Sequence, residues 1–506
     1  MHPFDKLRAG GFQKLSTPLS SAQLLGIVAF VAPFATYTYS MQRAVGYWDV
    51  GEMQTVPYIL GIAHPTGFPA FVLAGWIFTH LFAIGSVAWR VTLLCACAMA
   101  LTAWLIYRIV VDETRDAAVA LIAALSFAFT GLAWVRGTRA EVHAMALTFV
   151  ALTLWCVLRW SATLDRRWLY GSAAAWACGI ATHPIAALAG IGLLIVLVSR
   201  WESIATVQLL KALALGIIIV CAFYAYLPIR SAQVTAQRRD PTLALGVAPG
   251  RPFWDYDHPA NRSGFVALVS GSEFPVGAGI AAIFLPETYV HHGLRYMRTI
   301  VDNFTFAGLG LIVAGAIFFI RSQRLRAIGF IIAGMMAVPF ALGYPPEADV
   351  ERYFLISFVA SAVLIGIALK EPIVRWPRFR VAVLAAGALL VAAQWYVHRD
   401  LLGQRFDPGA SRYLAYIRSH TESNAIIVAP WAYATPLAYA AYVERDLGNR
   451  IVDAAWLSDD VDLIPRWIAR RPVYVVYLPW GDPPSGYRLK LIRREAPALY
   501  RIVKRS

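Results

Sequence analysis

Charged residues are scarce in this sequence. Asp, Glu, Lys and Arg make up only 15% of its 506 residues, and 59% are hydrophobic, whereas a soluble domain carries about 25% charged residues. Apolar runs of nearly 20 residues recur along the chain, and each is long enough to cross a hydrocarbon core of about 30 Å. The composition therefore excludes an ordinary soluble domain and predicts an α-helical polytopic membrane protein.

Acidic residues and cysteines are also few. The chain has 30 acidic and 45 basic residues, for a formal net charge of +15. The basic residues cluster in short loops between apolar runs, which is typical of cytoplasmic loops facing lipid. We therefore expect contact with membrane lipid and no nucleic-acid partner. The five cysteines all lie in apolar segments, so neither a disulfide framework nor a zinc site is indicated.

The apolar runs predict about 11 transmembrane helices, oriented by the basic residues of the short loops. Residues 1–20 are placed in the cytoplasm, and the first run is interpreted as a retained span because it lacks a convincing cleavage site. The loop 112–116 fits this orientation least, because its acids outnumber Arg115. The stretch 68–82 is excluded, because about 15 residues suit an interfacial or re-entrant helix better. The predicted spans are 21–41, 91–111, 117–134, 142–158, 169–183, 185–199, 207–226, 300–320, 327–343, 354–370 and 381–397.

This orientation gathers the polar motifs on the outer side, beyond a transmembrane domain of residues 21–397. Residues 398–506 differ in character, because the strand-like runs 424–430, 449–455 and 472–479 alternate with helical patterns. Such alternation predicts a small extracytoplasmic α/β domain with a parallel sheet. No glycine-rich phosphate loop follows these strands in the sequence, so no nucleotide is expected.

The stretch "YWDVGEMQTVPYILGIAHPTGFP" (47–69) is the most specific motif of the chain. Together with "WRVTLLCACAMALTAWLIYRIV", "TRAEVHA", "LPIRSA" and "ERYFLISFVA", it resembles an uncharacterised membrane-protein family related to the protein O-mannosyltransferases, within the GT-C glycosyltransferases. The matching pieces cover roughly the first 370 residues. The resemblance implies a GT-C-like fold, a catalytic acid in the first outer loop, here 42–67, and a polyprenyl-phosphate sugar donor. The family's usual block has serine where this chain has Val50, so any role of that hydroxyl is absent.

Transfer of a sugar from a lipid phosphate to a hydroxyl requires a base near the acceptor and cations near the departing phosphate. We predict that Asp49 is the general base of a single, inverting displacement, and that Glu52 positions the acceptor. Their spacing of three would place both on one face of a helix. Glycines 46 and 51 permit a close backbone approach beside them. The alternative is a hydrated loop with incidental acids.

Three arginines at the outer ends of spans, Arg139, Arg230 and Arg352, are predicted to bind the phosphate, because the planar guanidinium matches phosphate oxygens. For each of them, an interfacial arginine with no ligand is the alternative. The resemblance also favours Glu141 as a binding residue. Because Glu141 and His143 are two residues apart, they are not expected to point the same way on a helix.

Two histidines and one further acid complete the predicted site. His64 and His183 could donate to a phosphate or ligate a metal, but a histidine beside proline is more often a capped helix start. Asp255 could bind sugar hydroxyls or stabilise a turn. No cofactor and no metal are predicted, although acids and histidines at the outer face leave a magnesium or manganese site open.

The sequence therefore predicts an integral membrane glycosyltransferase of the cell (inner) membrane. It would move a sugar, with mannose as the first candidate, from a polyprenyl-phosphate donor to a hydroxyl of a protein, lipid or glycan. A transporter or lipid flippase is the alternative. Transporters place polar groups near the bilayer midplane, whereas the acids here lie at the ends of spans, which favours the enzyme.

Overall fold

The computed structural model describes residues 19–344, 349–477, 482–495 and 497–505. Apart from its last two residues, the predicted cytoplasmic segment 1–20 lies outside the described residues. The helices before the C-terminal domain are α1 (Ser21–Ser40), α2 (Trp48–Ile59), α3 (Pro69–Leu81), α4 (Val87–Thr114), α5 (Ala117–Ala128), α6 (Gly131–Gly137), α7 (Val142–Thr163), α8 (Arg166–Thr182), α9 (Gly190–Val198), α10 (Thr206–Tyr224), α11 (Tyr226–Ala236), α12 (Arg262–Ser270), α13 (Val276–Ala282), α14 (Pro286–Ser322), α15 (Arg324–Met335), α16 (Ala337–Leu342), α17 (Leu355–Arg375) and α18 (Arg380–Val397).

Every predicted span is helical. Within the described residues, eight helical segments are long and apolar enough to cross a membrane, and α5 with α6 forms a further pair bent by 72°. Two predicted spans correspond to shorter helices, α8 and the segment Pro184–Val198, so the count of about 11 depends on them. The stretch 68–82, which was not counted as a span, contains the 13-residue helix α3. The polytopic helical architecture is confirmed.

Ion pairs join the loops that the sequence assigns to the cytoplasmic side. The acids of the loop 112–116, which fitted the charge pattern least, are neutralised by basic side chains from the other loops of that side. These pairs are Asp112 with Arg159 at 2.9 Å, Glu113 with Arg326 at 2.5 Å, and Asp116 with Lys370 at 3.2 Å and Arg380 at 2.5 Å. The loops therefore meet at one end of the bundle, as the predicted topology requires.

The segment predicted as the first outer loop contains a helix, α2. Asp49 lies in its first turn, where a carboxylate interacts favourably with the helix dipole. The helix ends at Leu60, which is in the left-handed conformation with φ of 50°. Arg230 donates to the carbonyls of Ile59 at 3.1 Å and Leu60 at 2.5 Å, which satisfies acceptors left open at a helix end. Asp49 and Glu52 therefore sit one turn apart on a fixed helix.

The C-terminal domain consists of α19 (Ser411–His420), β1 (Ile426–Ala429), α20 (Trp431–Tyr439), β2 (Ile451–Ala454), α21 (Ile464–Ile468), β3 (Val473–Val476), β4 (Tyr487–Arg493) and β5 (Leu499–Lys504). Its strands form a five-stranded sheet in the order β2-β1-β3-β5-β4. Strand β1 pairs in parallel with β2 and with β3, as predicted, whereas β5 pairs antiparallel with β3 and with β4. The sheet is therefore mixed, and the prediction of a parallel sheet was incomplete. Strand β4, "YRLKLIR", has charged residues on a half-exposed surface, so it lacks the apolar run of a buried strand.

The C-terminal domain packs on helices α2 and α4 of the helical bundle. The Tyr439 hydroxyl on α20 accepts from the backbone N–H of Ala88 at 3.0 Å. Helix α20 also packs directly on α2, because a Cβ added at Gly51 would lie only 2.9 Å from Thr435 Oγ1. The close backbone approach predicted for Gly51 is therefore made by helix α20 of the C-terminal domain.

Candidate functional site

A cavity of about 480 Å³ lies at the end of the bundle where the polar motifs converge. Apolar side chains such as Met53, Phe68, Phe274 and Phe340 form much of its wall. A smaller number of polar side chains face the same space, which is the usual composition of a ligand site. The polar and ionisable lining residues are Asp49, His64, Thr66, Glu141, His143, His183, Ser270, Tyr344, Arg352 and Tyr353. Five of the predicted site residues are therefore brought together.

Asp49 is held by two donors. Arg352 Nη1 donates to its Oδ2 at 3.2 Å, and the indole Nε1 of Trp431, from the C-terminal domain, donates to its Oδ1 at 3.0 Å. Burial raises the pKa of Asp49, but the charges of His64 and Arg352 and the bond from Trp431 outweigh it, so the pKa lies below its usual value. Asp49 is thus an ionised carboxylate at neutral pH, and its side chain remains one-third exposed (33%).

Glu52 lies behind His64 and away from the cavity surface. Its carboxylate is fully buried, and it accepts from the backbone N–H of His64 at 2.7 Å and contacts His64 Nδ1 through the other oxygen. Burial raises the pKa of Glu52. Burial also opposes protonation of His64, but the charges of Glu52 and Asp49 prevail and raise its pKa to about 9. Glu52 therefore stabilises a cationic His64 beside Asp49.

Glu141 and His143 are in contact, contrary to the expectation that they point apart. Glu141 is the N-cap of α7 and has extended backbone angles (φ −148°, ψ 117°), so only His143 lies within the helix. His143 Nδ1 lies 2.5 Å from Glu141 Oε1. The prediction was wrong because it assumed that the helix included both residues.

Arg136 also contacts Glu141, although Arg139 and not Arg136 was predicted to be a binding residue. It donates to Glu141 Oε2 at 3.0 Å and to Asp349 Oδ1 at 2.5 Å. Both arginines belong to the stretch "VRGTRAEVHA". The sequence does not show which of the two arginines contacts Glu141. In the structure, Arg136 lies in the last turn of α6 and its side chain reaches Glu141.

His143 and His183 stand side by side in the cavity wall. Their ring centroids are 4.3 Å apart, and His183 also stacks on Phe68 at 5.3 Å. His183 Nδ1 accepts from the backbone N–H of Ile185 at 3.1 Å, so the interpretation as a capped helix start is correct for it. Among the described residues, His143 Nε2 is buried with no hydrogen-bond partner.

Three predicted binding residues are not part of the cavity lining in the described structure. Arg230 caps α2. Asp255 is buried and lies 2.7 Å from His258 Nδ1 within the same turn, as the turn alternative supposed. Arg139 is half-buried near Arg136. Across residues 19–344, 349–477, 482–495 and 497–505, no group of three His, Cys, Asp or Glu side chains that could hold a metal is found. Metal independence stays a prediction.

The overall fold matches that of a known class of membrane protein. The structure superposes on ArnT from Cupriavidus metallidurans in the apo state with a TM-score of 0.61, covering 96% of this chain and 98% of that chain at 13% identity. The same protein bound to undecaprenyl phosphate gives a TM-score of 0.58, covering 95% of this chain and 97% of that chain at 13% identity. A likeness at this identity concerns the fold, and the fold is that of a GT-C-like membrane protein.

Related sequences show which protein family the chain resembles. Residues 49–206 match the family model of the protein O-mannosyl-transferase TMEM260 N-terminal domain. The chain is 26% identical over 450 residues to protein O-mannosyl-transferase TMEM260 of Mus musculus, covering 81% of this chain and 60% of that protein. It is 28% identical over 130 residues to protein O-mannosyl-transferase tmem260 of Dictyostelium discoideum, covering 25% and 16%. The resemblance to the protein O-mannosyltransferases is confirmed, and the chain spans at most 60% of the length of these two relatives.

Proposed function

We propose that this protein is a membrane glycosyltransferase that moves mannose from a polyprenyl-phosphate donor to an acceptor hydroxyl, with Asp49 as general base. The observation that carries the proposal is the lining of one cavity by an ionised carboxylate, Asp49, together with the cationic Arg352. A base and a phosphate-binding cation within one largely apolar cavity are the groups that this transfer requires.

The reaction is a single displacement. The acceptor hydroxyl oxygen forms a bond to the anomeric carbon while the bond from that carbon to the phosphate oxygen breaks, and the electron pair leaves with the polyprenyl phosphate. Asp49 takes the hydroxyl proton. A low pKa keeps Asp49 ionised at neutral pH, so the base is present in its active form. One displacement inverts the configuration at the anomeric carbon.

Arg352 binds the donor phosphate in this proposal, and His143, whose Nδ1–H faces Glu141, can accept a hydrogen bond from a sugar hydroxyl through Nε2. Arg352 contacts Asp49 through Nη1, so a cation lies beside the base. Charge-assisted hydrogen bonds to phosphate are about twice as strong as neutral ones. The names of the relatives support mannose and a protein hydroxyl as acceptor, and the ArnT complex supports a lipid phosphate as a ligand of this fold.

The site lies on the extracytoplasmic side of the membrane in this proposal. The basic loops joined by ion pairs are at one end of the bundle, and basic loops favour the cytoplasm. Single cysteines introduced into residues 411–420 and labelled with a membrane-impermeant thiol reagent test it. Labelling from outside intact cells is expected, and labelling only after the cytoplasm is opened would overturn the orientation.

The central test is Asp49→Asn in the purified full chain in nanodiscs, with undecaprenyl-phosphate mannose as donor and a serine- and threonine-rich peptide pool as acceptor. Loss of a general base costs roughly 10²- to 10⁴-fold in turnover, and donor binding should persist. Asp302→Asn, at an exposed aspartate, is the matched control and should retain full activity. Full activity of both Asp49→Asn and Glu52→Gln would place the base elsewhere. Movement of the donor across the bilayer without sugar transfer would favour the transporter alternative.

A further inference from the structure

Trp431 is the residue through which the C-terminal domain reaches the cavity. It is the first residue of α20 and follows β1 at the carboxyl edge of the parallel strands, the edge where α/β sheets commonly place functional side chains. Its Nε1 donates to Asp49 Oδ1 at 3.0 Å, and the remaining oxygen of that carboxylate accepts from Arg352 at 3.2 Å. Each oxygen of the proposed base therefore has one fixed donor.

The indole ring is held by aromatic side chains from other segments. Phe253 stacks on it with centroids 5.7 Å apart and an interplanar angle of 11°. His64 meets it edge-on at 5.8 Å and 84°. Such offset-stacked and edge-to-face contacts are favourable geometries for aromatic pairs. The Trp431 ring is thus fixed by the loop before α12 and by the loop after α2, so its N–H direction is fixed as well.

The packing of α20 on α2 prevents the two helices from shifting independently. Gly51, two residues after Asp49, makes the close approach to Thr435, and the Tyr439 hydroxyl accepts from Ala88 on α4. The donor and acceptor of the Trp431–Asp49 bond therefore belong to two elements in direct contact, although they are 382 residues apart in sequence.

We propose that Trp431 is a positioning residue: the C-terminal domain completes the active site by fixing the orientation of the Asp49 carboxylate toward the acceptor hydroxyl. This inference rests on the proposed function, since it assumes that Asp49 is the base. With one lone pair of Oδ1 held by the indole and one of Oδ2 held by the guanidinium, the carboxylate plane is set, and the lone pairs that remain can accept the proton.

The experiment compares Trp431→Phe with Trp431→Gln in the same nanodisc assay. Phenylalanine keeps an aromatic ring but removes the N–H, so kcat should fall roughly 10- to 100-fold, the worth of a hydrogen bond to a charged group, while KM for the donor changes little. Because the indole bond lowers the pKa of Asp49, the acid limb of the pH profile should move to higher pH. Glutamine supplies an amide N–H and should keep the acid limb near the wild-type position.

Trp467→Phe is the matched control, because the Trp467 indole of the same domain donates at 2.9 Å to the carbonyl of Leu245, which lies between α11 and α12. It should lower the unfolding temperature but leave kcat and the pH profile at wild-type values. If Trp431→Phe does not fold, Trp431→Gln decides alone: a wild-type acid limb supports the proposal, and a rate as low as that of Asp49→Asn overturns it.

A double-mutant cycle separates this inference from the proposed function. In the Asp49→Asn background, Trp431→Phe should cause no further loss, because residues that act as a unit are not additive. An additive loss, or a Trp431→Phe variant with wild-type kcat and acid limb, would overturn the positioning role while leaving Asp49 as the base. Full activity of Asp49→Asn would instead overturn the proposed function itself.

Discussion

Two glutamate–histidine pairs stand at the same cavity and differ in their remaining partners. In the Glu52–His64 pair, the carboxylate is fully buried and both its oxygens are used by one residue, through the backbone N–H and the ring of His64. In the Glu141–His143 pair, Glu141 also accepts from Arg136, and His143 Nε2 has no partner within the described structure. We call the first pair closed, because both carboxylate oxygens are used, and the second open, because one ring nitrogen of a residue in the cavity wall is unpaired.

From this difference we infer a structural role for the closed pair and, within the proposed function, a ligand-binding role for the open pair. A closed buried ion pair holds the chain between α2 and α3 against α2 and places a cation beside Asp49. An open pair keeps one hydrogen-bonding atom unused in the folded protein, and a buried unused polar atom is costly unless a ligand satisfies it. The same two residue types therefore serve different purposes, according to how many partners each has.

The largest expected effect comes from breaking the closed pair. Glu52→Gln removes the carboxylate that compensates a fully buried position, and loss of one partner of a buried ion pair costs about 3–5 kcal/mol. Denaturant unfolding of the purified protein measures it. The double variant Glu52→Gln/His64→Gln should be less destabilised than Glu52→Gln alone, because no charge is left unpaired. A loss below about 1 kcal/mol for Glu52→Gln would show that the pair is not structural.

The closed pair also predicts a pH dependence. The pKa of His64 is raised from 6.5 to about 9, so its contribution to stability is complete below pH 6.5 and is lost as the pH rises toward 9. A shift of this size corresponds to about 3 kcal/mol. Burial and nearby Asp460 raise the pKa of Asp453 to about 8, which adds a slope of the same sign. The measurement is therefore the difference in stability between the wild type and Glu52→Gln, which should shrink between pH 6.5 and 9 and stay constant if His64 is not responsible.

The open pair should affect ligand binding more than stability. His143→Phe removes Nε2 and should weaken binding of undecaprenyl-phosphate mannose by roughly 3- to 10-fold, the range for one hydrogen bond between neutral groups. His143→Gln retains an amide oxygen that can accept the same hydrogen bond and should lose less. Binding to the purified protein in nanodiscs measures both, with His80→Gln on the exposed end of α3 as control. Equal losses for the two His143 variants would indicate a packing role.

Two charged residues near these pairs could be predicted from the sequence, but the contacts within the pairs could not. Asp49 and Arg352 were predicted as site residues because each lies at the end of an apolar run, where charge pattern and hydropathy decide placement. The Glu141–His143 contact was missed because it depends on where α7 begins, a boundary that apolar periodicity does not define. Trp431 was missed because its contact with Asp49 joins residues 382 positions apart, and no local pattern carries such a pairing.

The smallest expected effect concerns Asp349, which is linked to the open Glu141–His143 pair through Arg136. Asp349 accepts from Arg136 Nη2 through both oxygens, at 2.5 and 2.6 Å, but its side chain is 58% exposed. Exposed ion pairs contribute about 0–1 kcal/mol, so Asp349→Asn should change stability by less than about 1 kcal/mol and donor affinity by less than about threefold. Glu141→Gln, which changes a buried acceptor of both Arg136 and His143, should cost more in both measurements. Raising the salt concentration should diminish the Asp349→Asn effect further, because salt screens exposed charges. If Asp349→Asn matched Glu141→Gln in lost donor affinity, Arg136 would be held from its exposed side, and the open pair would depend on Asp349 as much as on Glu141.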